Sequence, residues 1–268
     1  MVVDRRARIG LRVLALAYLA ALLLVPVAIV FYRTFQHGVG FVWDSITTPA
    51  AIHAFWLTVQ IALIAVPLNT VLGVVTALAL VRGRFRGKWV LQAVIDLPFA
   101  VSPVVIGLAL VLVYGRNGWF GGWLTDQGIQ IIFAVPGMVL ATIFVCLPFV
   151  VREVEPVLRE VGDEQEQAAA TLGASRRQTF LRVTLPAIRY GIAYGVVIST
   201  ARAIGEFGAV SVVSGKIAGQ TDTLTLLVEN RFQNFDLAGA YAASTLLAII
   251  ALVTLGGMVL ANRRKELS

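Results

Sequence analysis

Apolar residues run through this chain in six long blocks separated by short polar stretches. The blocks cover residues 13–32, 54–81, 89–114, 128–151, 190–213 and 237–261, each of 20 residues or more. Crossing the hydrocarbon core of a bilayer takes about 20 helical residues. Four blocks carry no charge, the third contains Asp96, and the fifth contains Arg202 and Glu206. Outer-membrane barrel strands would read as segments of about 10 residues with alternating polarity, and no segment alternates in that way. The pattern predicts an all-α integral membrane protein, with six transmembrane helices forming a single membrane domain over residues 1–268.

The first block follows Arg5, Arg6, Arg8 and Arg12 and could be mistaken for a cleaved signal. Its apolar core is longer than such a signal needs, and Arg33-Thr34-Phe35-Gln36 follows in place of a small-residue cleavage site. It is read as a retained helix.

Composition sharpens the class. Hydrophobic residues make up 58% of the chain and charged residues 14%, against about 25% charged in a soluble domain. A water-soluble globular enzyme is excluded. Cys146 is alone, which removes a disulfide framework. The net charge of +7 would suggest nucleic acid in a soluble protein, so its distribution matters. Lys and Arg number 17 in the N-terminus, residues 82–88, residues 152–189 and the C-terminus. The intervening connections hold only Arg33, Arg116, Lys216 and Arg231. Positive charge concentrates on the cytoplasmic side of membrane helices, so both termini are predicted to be cytoplasmic. The basic balance is a topology signal, and no nucleic-acid partner is expected.

Most connections are short, but residues 152–189 form a long polar cytoplasmic loop. Asp163 with Glu166 three residues on is a capping-box pattern, opening a helix through Gln167-Ala168-Ala169-Ala170-Thr171-Leu172. Gly173 sits where a helix ends, because glycine enters the left-handed conformation cheaply. Ser175 with Gln178 forms a second capping box, starting a helix towards Val183, and Pro186 suits the opening of the approach to the fifth span. The residues alone leave two readings, a hairpin that links two spans or a rigid docking element.

The loop resembles the cytoplasmic signature of permeases in ATP-binding-cassette importers. That signature is Glu-Ala-Ala, three residues, Gly, nine residues, Ile, one residue, Leu-Pro. Gln167-Ala168-Ala169, Gly173, Val183 and Leu185-Pro186 match it with every spacing intact. Gln167 replaces the Glu, Val183 replaces the Ile, and Glu166 lies one position early. The resemblance implies the type I importer permease fold. It also implies that Glu166, Gln167, Ala168, Ala169, Gly173, Val183, Leu185 and Pro186 belong to coupling helices seated in a cleft of an ATPase subunit. Phosphate cradling needs Gly, four residues, Gly-Lys-Ser/Thr. The nearest approach here, Gly83 then Gly87-Lys88-Trp89, is one residue short and lacks the hydroxyl. The chain is therefore expected to be non-catalytic and without a cofactor, with ATP and Mg bound by a partner ATPase.

Arg202 lies near the middle of the fifth block, with Glu206 one turn later. A central membrane charge costs about 2.5–3.5 kcal/mol on insertion scales, so such residues face a bundle interior or a water-filled path. The pair is either part of a pathway or subunit seam, or a structural lock. Asp96 lies nearer a block end and could pair with a neighbouring helix. Pro67, Pro98, Pro103, Pro136 and Pro148 fall inside blocks. In Asp96-Leu97-Pro98-Phe99-Ala100-Val101-Ser102-Pro103, two breaks stand five residues apart, which fits either a gate lining or an ordinary kink. Asp96, Pro98, Ser102, Pro103, Arg202 and Glu206 are the candidates for the translocation path or subunit seam. Gly205, Gly208, Gly215, Ala201 and Ala209 read as close-packing residues. His37, His53 and Cys146 are too scattered for a metal site.

The string from Arg202 to Gly215, with Gly205-Glu206-Phe207-Gly208 at its core, resembles sulfate/thiosulfate importer permeases of the CysW type. Tyr114-Gly115-Arg116-Asn117-Gly118 and Pro148-Phe149-Val150-Val151-Arg152-Glu153 agree with it. The Gly-Glu-Phe-Gly core is shared with molybdate permeases, so molybdate or tungstate is the alternative cargo. The resemblance implies an inner (plasma) membrane protein surrounded by lipid. Its partners would be two ATPase copies, a sister permease, and a periplasmic or extracellular sulfate-binding protein meeting loops such as 216–236. An integral membrane enzyme would need a nucleophile or metal constellation, and a secondary transporter would show inverted repeats. Neither pattern is found.

Overall fold

A computed structural model of the chain describes the backbone of residues 5–266 and the side chains of residues 10–254. The basic residues at the two ends that enter the charge count, Arg5, Arg6, Arg8, Arg263, Arg264 and Lys265, have side chains outside the described residues. Among the described residues all regular structure is helical, and no strand occurs. In order the helices are α1 (Arg5–Phe35), α2 (Val39–Ile46), α3 (Pro49–Arg82), α4 (Lys88–Ala100), α5 (Pro103–Tyr114), α6 (Gly121–Asp126) and α7 (Val135–Val161). There follow α8 (Glu164–Thr171), α9 (Arg176–Thr179), a π-helical turn (Phe180–Thr184), α10 (Leu185–Ala187), α11 (Arg189–Ile204), α12 (Gly208–Val213), α13 (Leu224–Gln233) and α14 (Leu237–Glu266).

Four helices are long and apolar enough to cross a membrane: α1, α3, α7 and α14. The other two predicted spans are bent. Residues 89–114 are not one rod, because α4 and α5 meet at 115°. Pro103 opens α5, and the residue before a proline is pushed to extended geometry. Ser102 accordingly has ψ 136° and Val101 ψ 137°. Pro98 is absorbed inside α4 without a break. The fifth predicted span, 190–213, stops at Ile204; Gly205-Glu206-Phe207 interrupts it before α12. The approach from α10 to α11 is itself bent by 66°.

The fourth predicted span is displaced. Residues 128–134 lie outside the helix, since Gly128 and Phe133 take positive φ and Pro136 stands in the first turn of α7. At its other end α7 continues past Val151 to Val161, where Val154 and Leu158 stay buried while Arg152 and Arg159 reach water. Residues 152–161 therefore belong to a membrane helix, and the hairpin itself begins at Asp163. Pro103 and Pro136 act as helix starters, where a missing N–H costs nothing.

The centre of the bundle is α3, α7 and α11. Lipid chains are as apolar as leucine, so membrane helices associate through close packing and polar contacts. Val150 of α7 is fully buried, and glycines on both neighbours make room for it. A Cβ at Gly73 would lie 2.6 Å from Val150 Cβ, and one at Gly195 3.0 Å from Val150 Cα. Helix α12 lies against α5 in the same manner, for a Cβ at Gly208 would meet Pro103 Cβ at 2.8 Å. The packing role read for Gly208 holds. Leu57 and Ile61 of α3 cluster with Met138 and Val145 of α7, while Val74 and Leu80 cluster with Val154 and Leu158. The two helices run parallel, with Arg82 and Val161 at one end. Helix α1 buries nothing in its most apolar window and stands at the rim. Thr34 fastens it to α14 through Tyr241 O at 3.0 Å and Thr245 Oγ1 at 2.7 Å.

Candidate functional site

The break between α4 and α5 creates a cavity of about 310 Å³ lined by residues 98–103, Val145, Phe149 and Arg202. Four sequence candidates, Pro98, Ser102, Pro103 and Arg202, meet there. Arg202 comes from the last turn of α11 and is the one charged residue of the lining. Its Nη1 pairs with Glu206 Oε2 at 2.5 Å, the arginine side chain being 32% exposed and the glutamate 1%. Glu206 faces inward. Its Oε1 accepts from Ala209 N at 3.0 Å, which satisfies an amide of the short α12, and its carbonyl accepts from Thr225 Oγ1 at 2.9 Å. Sequence spacing placed the two charges on one continuous helix; they instead face each other across the break at Gly205. A larger cavity, about 630 Å³, lies among the loops at 115–118 and 128–133, away from every intramembrane charge.

Asp96 does not reach this cavity. Its Oδ1 accepts from Arg152 Nη2 at 2.8 Å and its Oδ2 from Gln92 Nε2 at 3.1 Å, bracing α4 on α7. The Arg152 guanidinium also lies 4.1 Å from the Phe99 ring centre, a cation–π contact. Phe99 in turn meets Phe149 edge to face at 5.4 Å. The two rings thus stand between the cavity that holds Arg202 and the Arg152–Asp96 pair. Sequence reading singled out neither ring for this place, since phenylalanine in an apolar block carries no signal of its own.

The hairpin runs from α8 to α10. Ser175 and Gln178 form the reciprocal capping box expected of them: Ser175 N donates to Gln178 Oε1 at 2.9 Å and Gln178 N to Ser175 Oγ at 3.4 Å. Gly173 has φ +84°, and Ala174 N donates to Ala169 O at 3.0 Å with Gly173 N to Ala170 O at 3.0 Å. This is the glycine-closed helix end read from sequence. The box expected at Asp163 and Glu166 does not form, for Asp163 makes no side-chain cap. Glu166 is drawn away by stronger partners: Arg82 Nε donates to its Oε2 at 3.1 Å, and Thr184 Oγ1 to its Oε1 at 3.0 Å. The second helix also outruns its expected end near Val183, passing through the π turn to Ala187. Val183 and Leu185 are half-buried, whereas Gln167, Ala168, Gly173 and Pro186 are exposed. Leu172, beside the turn, is 88% exposed.

At the opposite end of the bundle, Arg231 of α13 ties the last turn of α2 to α14. It donates to Ser45 O at 2.9 Å, Ser45 Oγ at 3.0 Å and Gly239 O at 3.0 Å. Asp222 is buried there with neither carboxylate oxygen hydrogen-bonded. Burial, and then the charge of Glu229, push its pKa up to about 6. Among the described residues no group of three or more His, Cys, Asp or Glu could hold a metal ion.

The sequence profile of the family described as "Binding-protein-dependent transport system inner membrane component" matches residues 69–266. The chain belongs to this family. The permease is 54% identical to the sulfate transport system permease protein CysW of Synechocystis sp., over 90% of its own length and 88% of that protein. It is 41% identical to the sulfate transport system permease protein CysT of Synechococcus elongatus, over 89% of its length and 86% of that one. Its fold is that of a chain in a bacterial ABC transporter involved in the import of the acidic polysaccharide alginate. That similarity has a TM-score of 0.81 at 18% identity and covers 97% of the permease and 96% of that chain. The family places the permease in an inner membrane, and the profile spans both features described above, the cavity at Arg202 and the hairpin.

Proposed function

We propose that the chain is the membrane-spanning, non-catalytic permease subunit of an ATP-driven importer that carries sulfate, with thiosulfate as second cargo. The observation that carries this reading is the 54% identity, over nine-tenths of the chain, to a protein named for sulfate transport. Similarity to a protein named CysT as well as to CysW supports a sister permease of related sequence as the second half of the path. The capped hairpin, with Leu172 held 88% exposed in water, suits docking into an apolar cleft of an ATPase subunit. ATP and Mg would be bound by that subunit, and this chain needs no cofactor. An outer binding protein would deliver the anion to the end of the bundle near Arg231 and residues 216–236.

The cavity beside Arg202 supplies what a dianion needs inside a membrane. A fixed guanidinium offers a fork of N–H donors, and the start of α5 adds the positive end of a helix dipole. Pairing to Glu206 keeps the site near neutral when empty, so that an anion is admitted without being trapped; conduction requires such weak holding. Phe99 and Phe149 form the floor that the anion would pass on its way to Arg152. The test is uptake by a strain lacking this chain, before and after its return, with labelled sulfate, thiosulfate and molybdate. Restoration of sulfate uptake is the expected result. Restoration of molybdate alone would replace the cargo, and no dependence on the chain for any oxyanion would overturn the reading.

A further inference from the structure

Arg82 ends α3, and its guanidinium binds three residues at the end of α7 and the start of the hairpin, Leu158, Gly162 and Glu166. Nε and Nη2 hold the two carboxylate oxygens of Glu166 at 3.1 and 3.3 Å. Nη1 donates to Leu158 O at 3.2 Å, and Nη2 also donates to the carbonyl of Gly162. Glu166 accepts in turn from Thr184 at the π turn. Arg82 and Glu166 side chains are each 23% exposed, so the pair is mostly shielded from water. A bidentate arginine–carboxylate contact is stiff as well as strong, and lysine cannot reproduce its fork. Both ends of the hairpin, Glu166 near its start and Thr184 near its finish, are thereby fastened to α3 and to the end of α7.

We propose that Arg82 is a positioning residue that straps the hairpin to α3, so that displacement of the hairpin by the ATPase is carried into the central helices. The proposal rests on the reading that an ATPase docks on this hairpin. Without the strap, the hairpin keeps the α7–α8 turn at one end, α10 at the other and the packing of Phe180 against the Val74–Leu158 cluster, and part of its motion would be spent in those joints.

The test uses the complete importer in proteoliposomes and two readouts. The first is anion taken up per ATP hydrolysed. Arg82→Ala is expected to lower this ratio about tenfold, within the usual range of coupling between sites, while hydrolysis stimulated by loaded binding protein largely persists. Arg82→Lys, which keeps the charge and loses the fork, should fall between. A wild-type ratio in Arg82→Ala overturns the proposal, as does an unchanged ratio with both rates lowered together. If Arg82→Ala fails to assemble while Arg82→Lys assembles with a normal ratio, Arg82 serves folding alone and the proposal fails. The second readout is independent of cargo: the distance between spin labels at Val75→Cys on α3 and Gln165→Cys on α8, both exposed positions. It is expected to hold constant between nucleotide-free and ATP-bound states in the parent, and to change in Arg82→Ala. Equal behaviour of parent and variant overturns the strap. A constant parent distance in a transporter that takes up no sulfate would fault the cargo reading and leave the strap standing.

Discussion

At Arg202 and Glu206 one ion pair joins side chains of unequal accessibility, and their roles separate accordingly. Glu206 is buried and holds an amide of α12, so its removal opens the start of that helix and strands a cation beside it. Losing such a capping contact costs roughly 1 kcal/mol, and Glu206→Leu is expected to reduce the amount of folded permease in the membrane. Arg202 lines the cavity, and Arg202→Met should insert and assemble normally. Its sulfate uptake should fall by about tenfold or more, the loss of one charge-assisted contact to the anion. The double variant Arg202→Met with Glu206→Leu decides between lock and path. Uptake restored in the double would make the pair a lock. The sequence made both charges legible, because a chain that otherwise avoids charges in its apolar blocks exposes the exceptions. It hid Arg82, whose partner lies 84 positions away and which reads, beside Arg84 and Arg86, as one more cytoplasmic charge. The capping box expected of Glu166 fails for the same reason. Local spacing offered it an amide three residues back, and a distant arginine offered more.

Among the elements, the hairpin was the most legible, since capping box, glycine stop and signature spacing all lie within a few residues of one another. Gly173 is its decisive position. A Cβ there would meet nothing within 4 Å, so a substitution acts through the backbone and not through a clash. A β-branched residue at φ +84° costs about 1–2 kcal/mol, and the helix end would relax by turning α8 relative to α9. Asparagine tolerates the left-handed region. Gly173→Val is expected to insert and pair normally yet lose ATP hydrolysis stimulated by loaded binding protein, with transport lost in parallel. Gly173→Asn should keep most of both. Equal behaviour of the two variants in that assay would show that the turn's geometry is immaterial. The bends were less legible. An apolar run with two prolines looks the same whether its halves meet at 115° or run straight, because the angle is set by what α5 packs against. Gly208 on α12 and Pro103 on α5 make that contact, 105 positions apart in the chain.

For the whole molecule the question is how many times the chain crosses. Arg82 and Glu166 place the turn at 83–87 and the hairpin at one end of the bundle. Lys88 Nζ donates to Leu80 O at 2.7 Å, so α4 starts at that end too. Tyr114, closing α5, packs with the Leu57–Met138 cluster at the other end, where Phe133 N also donates to Val213 O at 2.8 Å. Despite its bend, the α4–α5 pair travels from one end to the other, and so does α11 with α12. Helix α14 meets α1 near Thr34 at that far end and returns. Six crossings with both termini on the side of the hairpin are therefore the expected topology, as the bias of Lys and Arg also predicts. Single cysteines on a Cys146→Ala background, treated with a membrane-impermeant maleimide, check this directly. Cysteines at Arg12, Arg86 and Gln165 are expected to label only from the cytoplasmic side, and those at Asn117 and Ala218 only from the outer side. Labelling of Asn117 from the side of Arg86 would make the α4–α5 pair re-entrant. The cavity beside Arg202 would then open to one face alone, and a path through it for any anion would be lost.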